Sequence, residues 1–164
     1  MTGFQSFDVL AFHNCDRDLG LRLVNGKDEL RASNNDWDWL GPGVYFWEQD
    51  PARALEYATD ASEGKQKNKE APKIPFVVGA VIQLGNCLNL VESAALDILS
   101  TAYAGLEEFT GKMGIPMLSN KGKNRALDCA VIKYIHEANK QAGKPPYDSI
   151  RCASPKAMPL IRAL

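Results

Sequence analysis

The sequence predicts an α+β fold in which helices pack on a β-sheet. A long apolar run at positions 76–84, rich in β-branched residues, predicts a buried strand. Two apolar stripes with helical spacing, from about residue 93 to 113 and from about 125 to 142, predict two core-packing helices. A strand and a helix are also predicted in succession between residues 44 and 62.

Length and composition predict one domain, to which we assign residues 1–164. The chain carries a net charge of −1, with 45% hydrophobic and 24% charged residues, which is typical of globular domains. This balance does not indicate nucleic acid or an anionic membrane as the main partner.

The four cysteines predict neither a zinc site nor a disulfide framework. They lie far apart and form no Cys-x-x-Cys pair, so we expect no metal and buried thiols in a reducing compartment. The sequence has no basic-then-apolar leader and no apolar run near eighteen residues. We therefore expect a soluble, cytoplasmic protein.

The first elements are a strand and a short helix. Residues 7–13 are mostly apolar and alternate weakly, which predicts a buried strand that ends at His13. Asp16 is in the N-cap position of a helix that extends to about Asn25.

Residues 37–48 contain all three tryptophans and a turn, and they precede a helix signal. Gly41-Pro42-Gly43 predicts the turn and residues 44–47 an aromatic strand. Asp50 and Pro51 then predict a helix start, and the helix is expected to bury Ala54, Leu55 and Ala58 and to end near Ser62. A glycine beside an aromatic strand lets a flat ligand approach the backbone; the alternative is that these aromatic residues belong to the core.

The remaining elements follow from composition and period. Residues 63–73 are polar and predict a mobile surface loop, and 76–84 predict a central strand buried on both faces. A short extended segment at 87–90, the two helices and a strand at 147–151 follow. Residues 152–164 contain two prolines and no sustained period, so we expect a poorly packed tail there.

Two polar features allow both a functional and a structural interpretation. A basic group near a helix start consists of Lys121, Lys123 and Arg125. Such a group binds phosphate in some proteins, and in others it is part of a solvated loop. His136 has no partner of ligand type at a useful spacing and is expected at the surface.

Several motifs together resemble one family. Phe12-His13-Asn14-Cys15 closes the first strand, Gly41-Pro-Gly-Val-Tyr-Phe46 follows some thirty residues later, and the next helix carries Arg53-Ala54 and Tyr57-Ala58. Residues 8 to about 151 resemble diphtheria-toxin-like ADP-ribosyltransferases. Within that family they most resemble the branch that includes poly(ADP-ribose) polymerases, which has a His-Tyr-Glu signature. They also resemble a group of microbial proteins of that fold. The resemblance implies a split mixed β-sheet flanked by helices.

The resemblance also implies NAD as the substrate and a set of site residues. His13 would contact the adenosine-side ribose and the carboxamide end, and Tyr45 would stack on nicotinamide. The cofactor-binding residues implied are His13, Asn14, Gly43, Tyr45 and Tyr57. The reaction would transfer ADP-ribose to an acceptor, which the sequence does not identify, and would release nicotinamide through a cation-like sugar.

The family's late glutamate has no counterpart in this sequence. The chain stops thirteen residues after Arg151 without a predicted strand that carries a carboxylate. We therefore expect the sheet to lack its last strands and residues 151–164 to form an atypical tail. Either the sequence is truncated or altered in frame at its end, or another residue has taken over the role of the late glutamate. Glu48 and Tyr45 are the catalytic candidates, and Glu56 and Asp38 rank below Glu48; a surface or helix-entry carboxylate is the other interpretation of Glu48.

Three functions are compatible with the sequence. The first is an NAD-dependent ADP-ribosyltransferase of a toxin-like or stress-linked kind, of which an NAD hydrolase is a variant. The second is a catalytically impaired module of the same fold that binds NAD, ADP-ribose or a protein. The third is a structural domain whose aromatic residues form its core.

Overall fold

The computed structural model describes residues 8–36, 38–65, 71–122 and 124–153, and the backbone of residues 159–163. These residues form an α+β domain with helices on both faces of a sheet, as the sequence predicts. The helices are α1 (Arg17–Val24), α2 (Pro51–Ser62), α3 (Ser93–Met113) and α4 (Ala126–Gln141). The strands are β1 (Asp8–Asp16), β2 (Val44–Glu48), β3 (Pro75–Gln83), β4 (Cys87–Asn89), β5 (Ser149–Ala153) and β6 (Pro159–Ala163).

The six strands form one mixed sheet in the order β3-β1-β2-β6-β5-β4. All neighbouring strands are antiparallel except the parallel pair β4 and β5. Strand β6 pairs with β2 on one side and with β5 on the other. It therefore joins β3, β1 and β2 to β5 and β4 in one continuous sheet, so the expectation of a split sheet was wrong.

The expectation that the chain end adds no strand was wrong. The backbone of residues 159–163 occupies an interior position in the sheet, and Cys152 is buried. Pro159 is compatible with this arrangement because it is the first residue of its strand, a position at which proline is tolerated.

Both predicted N-caps are confirmed. The Asp16 carboxylate accepts a hydrogen bond from the Asp18 amide at 2.9 Å at the start of α1. The Asp50 carboxylate accepts one from the Arg53 amide at 2.8 Å at the start of α2. These caps satisfy amide groups that have no partner within the helix.

The sheet has two differently covered faces. The first face is the one to which Trp47 and Ile150 point. Helices α2 and α4 cover this face, and α3 packs against α4. The residues between this face and the helices form the main core. The second face is the one to which Ala11 and Phe46 point, and a smaller core with Leu30 covers part of it. Helix α1 packs on this face, where Gly20 lies against the side chains of β3.

Strand β3 lies at an edge of the sheet and not at its centre, which corrects the sequence prediction. It pairs with β1 alone among the described strands, and Val81 is 73% exposed. The apolar run has another cause: helices α1 and α2 both contact β3.

Two helical predictions also need correction. Leu55 in α2 is 46% exposed, whereas Ala54, Ala58 and Ala61 are buried. In α3 the expected core stripe is only partly covered, because Ala95 and Ala102 are buried while Leu96 and Met113 are more than half exposed.

Other predictions concern cysteines, membranes and residues outside the described ranges. None of the four cysteines forms a disulfide, and Cys15, Cys129 and Cys152 are buried. Among the helices that the structure describes, none has the length and apolar character to cross a bilayer. Trp37, Lys123 and the central part of the predicted loop, residues 66–70, lie outside the described residues.

Candidate functional site

The residues of the first two motifs meet where β1 ends and β2 begins. The two strands are antiparallel, and Phe12 is the register partner of Trp47. His13 therefore lies beside Phe46, and Asn14 lies beside Tyr45. Residues 13, 14 and 45, far apart in sequence, are thus brought to one end of the sheet.

His13 is bound to the backbone of the neighbouring strand. Its Nδ1 lies 2.9 Å from the carbonyl oxygen of Tyr45, and since a carbonyl only accepts, Nδ1 carries the proton. The imidazole lies against the Phe46 ring, with centroids 5.6 Å apart. Burial lowers the pKa of His13, and the hydrogen bond to Tyr45 partly opposes this effect. The ring is therefore neutral at pH 7, with Nε2 as an acceptor.

The Tyr45 hydroxyl is bound to the turn that precedes its strand. It donates to the Gly41 carbonyl at 2.6 Å and accepts from the Leu40 amide at 3.1 Å. Gly43 is fixed in turn by two backbone hydrogen bonds with Ser33, of 2.9 and 3.0 Å. This end of β2 is consequently held by hydrogen bonds before any ligand binds.

An aromatic group on the first face lies beside Asn14. The Trp47 indole Nε1 donates to the Asn14 side-chain oxygen over 3.4 Å. The ring centroids of Trp47 and Tyr57, a residue of α2, are 5.8 Å apart. The Arg53 guanidinium carbon lies 5.0 Å from the centroid of the Trp47 ring. Arg53, whose side chain is 13% exposed, also pairs with Glu56. The motifs did not predict that Trp47 and Arg53 belong to the site, although Trp47 directly follows the motif that ends at Phe46 and Arg53 is part of the helix motif.

The side chains of the predicted site residues are divided between the two faces. Asn14, Tyr45 and Tyr57 share the first face, whereas His13 shares the second face with Phe46. Glu48 follows Tyr45 by three positions, which places it on the opposite face about 10 Å along the strand. Tyr45 and Glu48 therefore do not converge on one point.

Glu48 is a buried partner in an ion pair, which corrects its interpretation as a surface or helix-entry carboxylate. It is 4% exposed. Arg151 donates to it through Nε at 2.6 Å and through Nη2 at 2.9 Å, the paired geometry in which arginine binds carboxylates most strongly. The two residues are 103 positions apart, so no local signal predicts their contact.

The two lower-ranked carboxylates lie elsewhere. Glu56 is half exposed on α2 and pairs with Arg53. Asp38 accepts hydrogen bonds from the backbone and side chain of Asn35, at 3.0 and 3.3 Å. None of these contacts brings Glu56 or Asp38 close to His13.

The remaining polar candidates have other partners. Arg125 pairs with Asp128, and Lys121 bridges to Asn124 through its backbone. His136 is half buried and contacts the Tyr147 ring edge-on at 6.1 Å. Within the described residues, His, Cys, Asp and Glu form no group of three that could hold a metal ion.

Comparison of the chain with protein-family models, with curated proteins and with solved structures finds no match.

Proposed function

We propose that this domain has an ADP-ribosyltransferase-like fold and binds NAD or ADP-ribose at the adjoining ends of β1 and β2, without transferring ADP-ribose. The observation that carries the proposal is the bidentate ion pair between Glu48 and Arg151. It favours the binding module over the transferase, the first function that the sequence indicates.

The placement of the motif residues supports binding. His13 and Asn14 lie next to Tyr45 at one end of the sheet. An extended dinucleotide can contact both faces at this end, so that the imidazole Nε2 and the Asn14–Trp47 group meet different parts of it. The hydrogen bonds of Tyr45 to the turn preorganise the site, which lowers the ordering cost of binding.

The environment of Glu48 supports the absence of transfer. Cleavage of the bond between nicotinamide and ribose needs a carboxylate that stabilises positive charge on the sugar. Glu48 is buried, its charge is already compensated by Arg151, and it lies on the face opposite Tyr45. Recruiting it would require the pair to break, which leaves a buried charge without its partner.

The test is a thermal unfolding series with NAD and with ADP-ribose, followed by mass spectrometry of the same samples. We expect both ligands to raise the melting temperature in proportion to the logarithm of their concentration, and we expect no release of nicotinamide. Released nicotinamide would instead support an NAD-dependent transferase or hydrolase. An unchanged melting temperature with both ligands would leave the aromatic residues as core and refute the proposal.

Three variants locate the site. His13→Ala and Tyr45→Ala are expected to weaken NAD binding without unfolding the domain, and Tyr45→Phe separates loss of the hydroxyl from loss of the ring. His136→Ala is the matched control, because the chain has two histidines and His136 lies on α4 against Tyr147. Equal NAD affinity in all variants would refute the assignment of the site.

A further inference from the structure

Strand β3 has one open edge along its whole length. Among the strands that the structure describes, it pairs with β1 alone, and the register over residues 75–83 is unbroken. The nine residues of β3 extend over about 30 Å. On the side away from β1, every second residue directs its backbone amide and carbonyl outward. This row of groups is a template for pairing with another strand.

Residues 75–83 lack the features by which edge strands usually prevent such pairing. Those features are short length, charged side chains, prolines and β-bulges. The strand contains no charged side chain, and its only proline, Pro75, is its first residue. The unbroken register with β1 leaves no bulge between residues 75 and 83. The sequence of β3 therefore does not oppose the addition of a second strand.

Exposed apolar side chains lie beside this edge on the first face of the sheet. Val81 is 73% exposed, and its register partner Leu10 is 50% exposed. Leu10 and Phe12 are two positions apart on β1 and share a face, and Phe12 packs on the main core. Leu10 and Val81 therefore lie on the first face, and a chain that covered them would gain free energy of burial.

Helix α2 places a third exposed apolar side chain, Leu55, on the side of the open edge. Ala54 is fully buried and faces the sheet, and its neighbours Arg53 and Leu55 lie about 100° to either side of it around the helix. Arg53 contacts Trp47 of β2, so Leu55 is on the flank away from β2. Because β1 lies between β2 and β3, this flank is the one next to the open edge of β3.

A second copy of the chain has the strand and the helix that fit this edge. A two-fold axis perpendicular to the sheet makes β3 antiparallel to the same strand of the other copy, with the first faces on the same side. In a register centred on Gly79, Val77 of one copy is opposite Val81 of the other, an apolar pair of β-branched residues. The uncharged strands bring no like charges together, and the net charge of −1 gives little repulsion between the copies.

The position of α2 favours a second copy over an isolated strand of another protein. Helix α2 contacts both β1 and β3 and so lies above these two strands. In the symmetric pair, the two α2 helices would be separated by two strand spacings, about 10 Å, and packed helices are about 8–10 Å apart. Leu55 of each helix faces the other across this gap, and its exposure of 46% in the single chain would be removed.

We propose that β3 pairs with β3 of a second copy of the chain, antiparallel and about a two-fold axis, and that the two α2 helices pack on each other through Leu55. The two six-stranded sheets then form one continuous sheet. The proposed NAD site lies at the ends of β1 and β2, so this interface does not depend on the proposed function.

Sedimentation equilibrium of the full chain over a series of concentrations measures the association. We expect a reversible equilibrium between monomer and dimer. Val81→Lys and Leu55→Lys each place a charge at an exposed position of the interface, so both variants are expected to fold and to raise the dissociation constant at least about tenfold. Leu96→Lys is the matched control, because Leu96 is 55% exposed on α3; it is expected to dimerise like the wild type. Circular dichroism of the monomeric variants checks that they are folded.

Amide hydrogen exchange measured by NMR locates the interface. The outward amides of β3 are paired in the dimer, so their exchange is expected to slow as the chain concentration rises. Val81→Lys is expected to abolish this dependence on concentration. The amides of β4, at the other edge of the sheet, are the internal control, and their exchange is expected to be independent of concentration.

Three results would overturn the proposal. The first is a chain that remains monomeric up to about 1 mM, which would leave the edge to a strand of another protein. The second is a dimer that Leu96→Lys weakens and Val81→Lys does not, because α3 would then form the interface. The third is a dimer in which the exchange of the β3 amides does not depend on concentration.

Discussion

Arg151 and Glu48 lie on strands that do not pair with each other, yet two hydrogen bonds of 2.6 and 2.9 Å join their side chains. Strand β6 runs between their two strands, so the ion pair spans it on the second face. The carboxylate is 4% and the arginine side chain 29% exposed. The pair thus connects the two halves of the sheet by side chains, in addition to the backbone pairing of β6.

Glu48→Gln is expected to destabilise the domain by about 1–3 kcal/mol, because the substitution removes the negative charge that compensates a partly buried arginine. Urea unfolding measures the change in the free energy of unfolding. Asp28→Asn is the matched control; its pair with Arg22 is more exposed, so a change within about 0.5 kcal/mol is expected. Equal effects of the two substitutions would contradict the structural importance of the Glu48 pair.

The pKa of His13 is expected to lie below 6.5, the ordinary value for histidine, because burial disfavours the charged ring. An NMR titration of the imidazole protons, assigned with His13→Gln, measures it. A value at or above 6.5 would contradict the buried environment of the ring.

The same shift makes stability depend on pH. The unfolded state binds a proton more readily than the folded state, so this contribution to stability is fully present above pH 6.5 and is lost as the pH falls toward the folded pKa. We expect His13→Gln to flatten the dependence of the free energy of unfolding on pH below 6.5, and His136→Gln to leave the contribution of His13 in place. A slope that does not change in His13→Gln would contradict this linkage.

Gly20→Ala is expected to destabilise the domain by about 1–3 kcal/mol through overpacking. Gly20 is buried in α1, and an added Cβ would lie 2.7 Å from Cε1 of Phe76 and 3.2 Å from Cγ2 of Val78. Gly111→Ala in α3 is the control, since an added Cβ meets nothing within 4 Å there. Gly111→Ala is expected to gain up to about 1 kcal/mol from helix propensity. Thermal unfolding of both variants measures the difference, and stabilisation by Gly20→Ala would refute the close packing of α1 on β3.

Asp50→Ala is expected to cost about 1 kcal/mol, because it removes the acceptor of the Arg53 amide at the start of α2. Asp50→Asn keeps an acceptor and is expected to cost less. Chemical unfolding compares the two variants. If the alanine variant proved as stable as the asparagine variant, the cap would have no energetic role.

Local signals predicted much of the fold. Asp16 and the Asp50-Pro51 pair locate the starts of α1 and α2 because capping depends on a few adjacent residues. The strand predicted at 76–84 is found at Pro75–Gln83. Its position in the sheet was wrong, because an apolar run that two helices cover resembles a run that neighbouring strands cover.

The parts that the sequence did not predict depend on distant contacts. Strand β6 has no distinctive pattern of its own, and its place is set by pairing with β2 and β5. The burial of Glu48 depends on Arg151, which is 103 positions away. The motifs predicted that His13 and Tyr45 belong to one region, and their hydrogen bond is consistent with it. That they point to opposite faces follows from the register of β1 and β2, which the sequence does not determine.

The place of β6 in the strand order has a consequence for biosynthesis. β6 follows β5 in the chain but lies between β5 and β2, so both of these strands keep an unpaired edge until residues 159–163 have left the ribosome. Such edges pair readily with other chains, and pairing between distant segments is slow. During translation, the gap that β6 later fills therefore presents two strand edges that can pair with other chains.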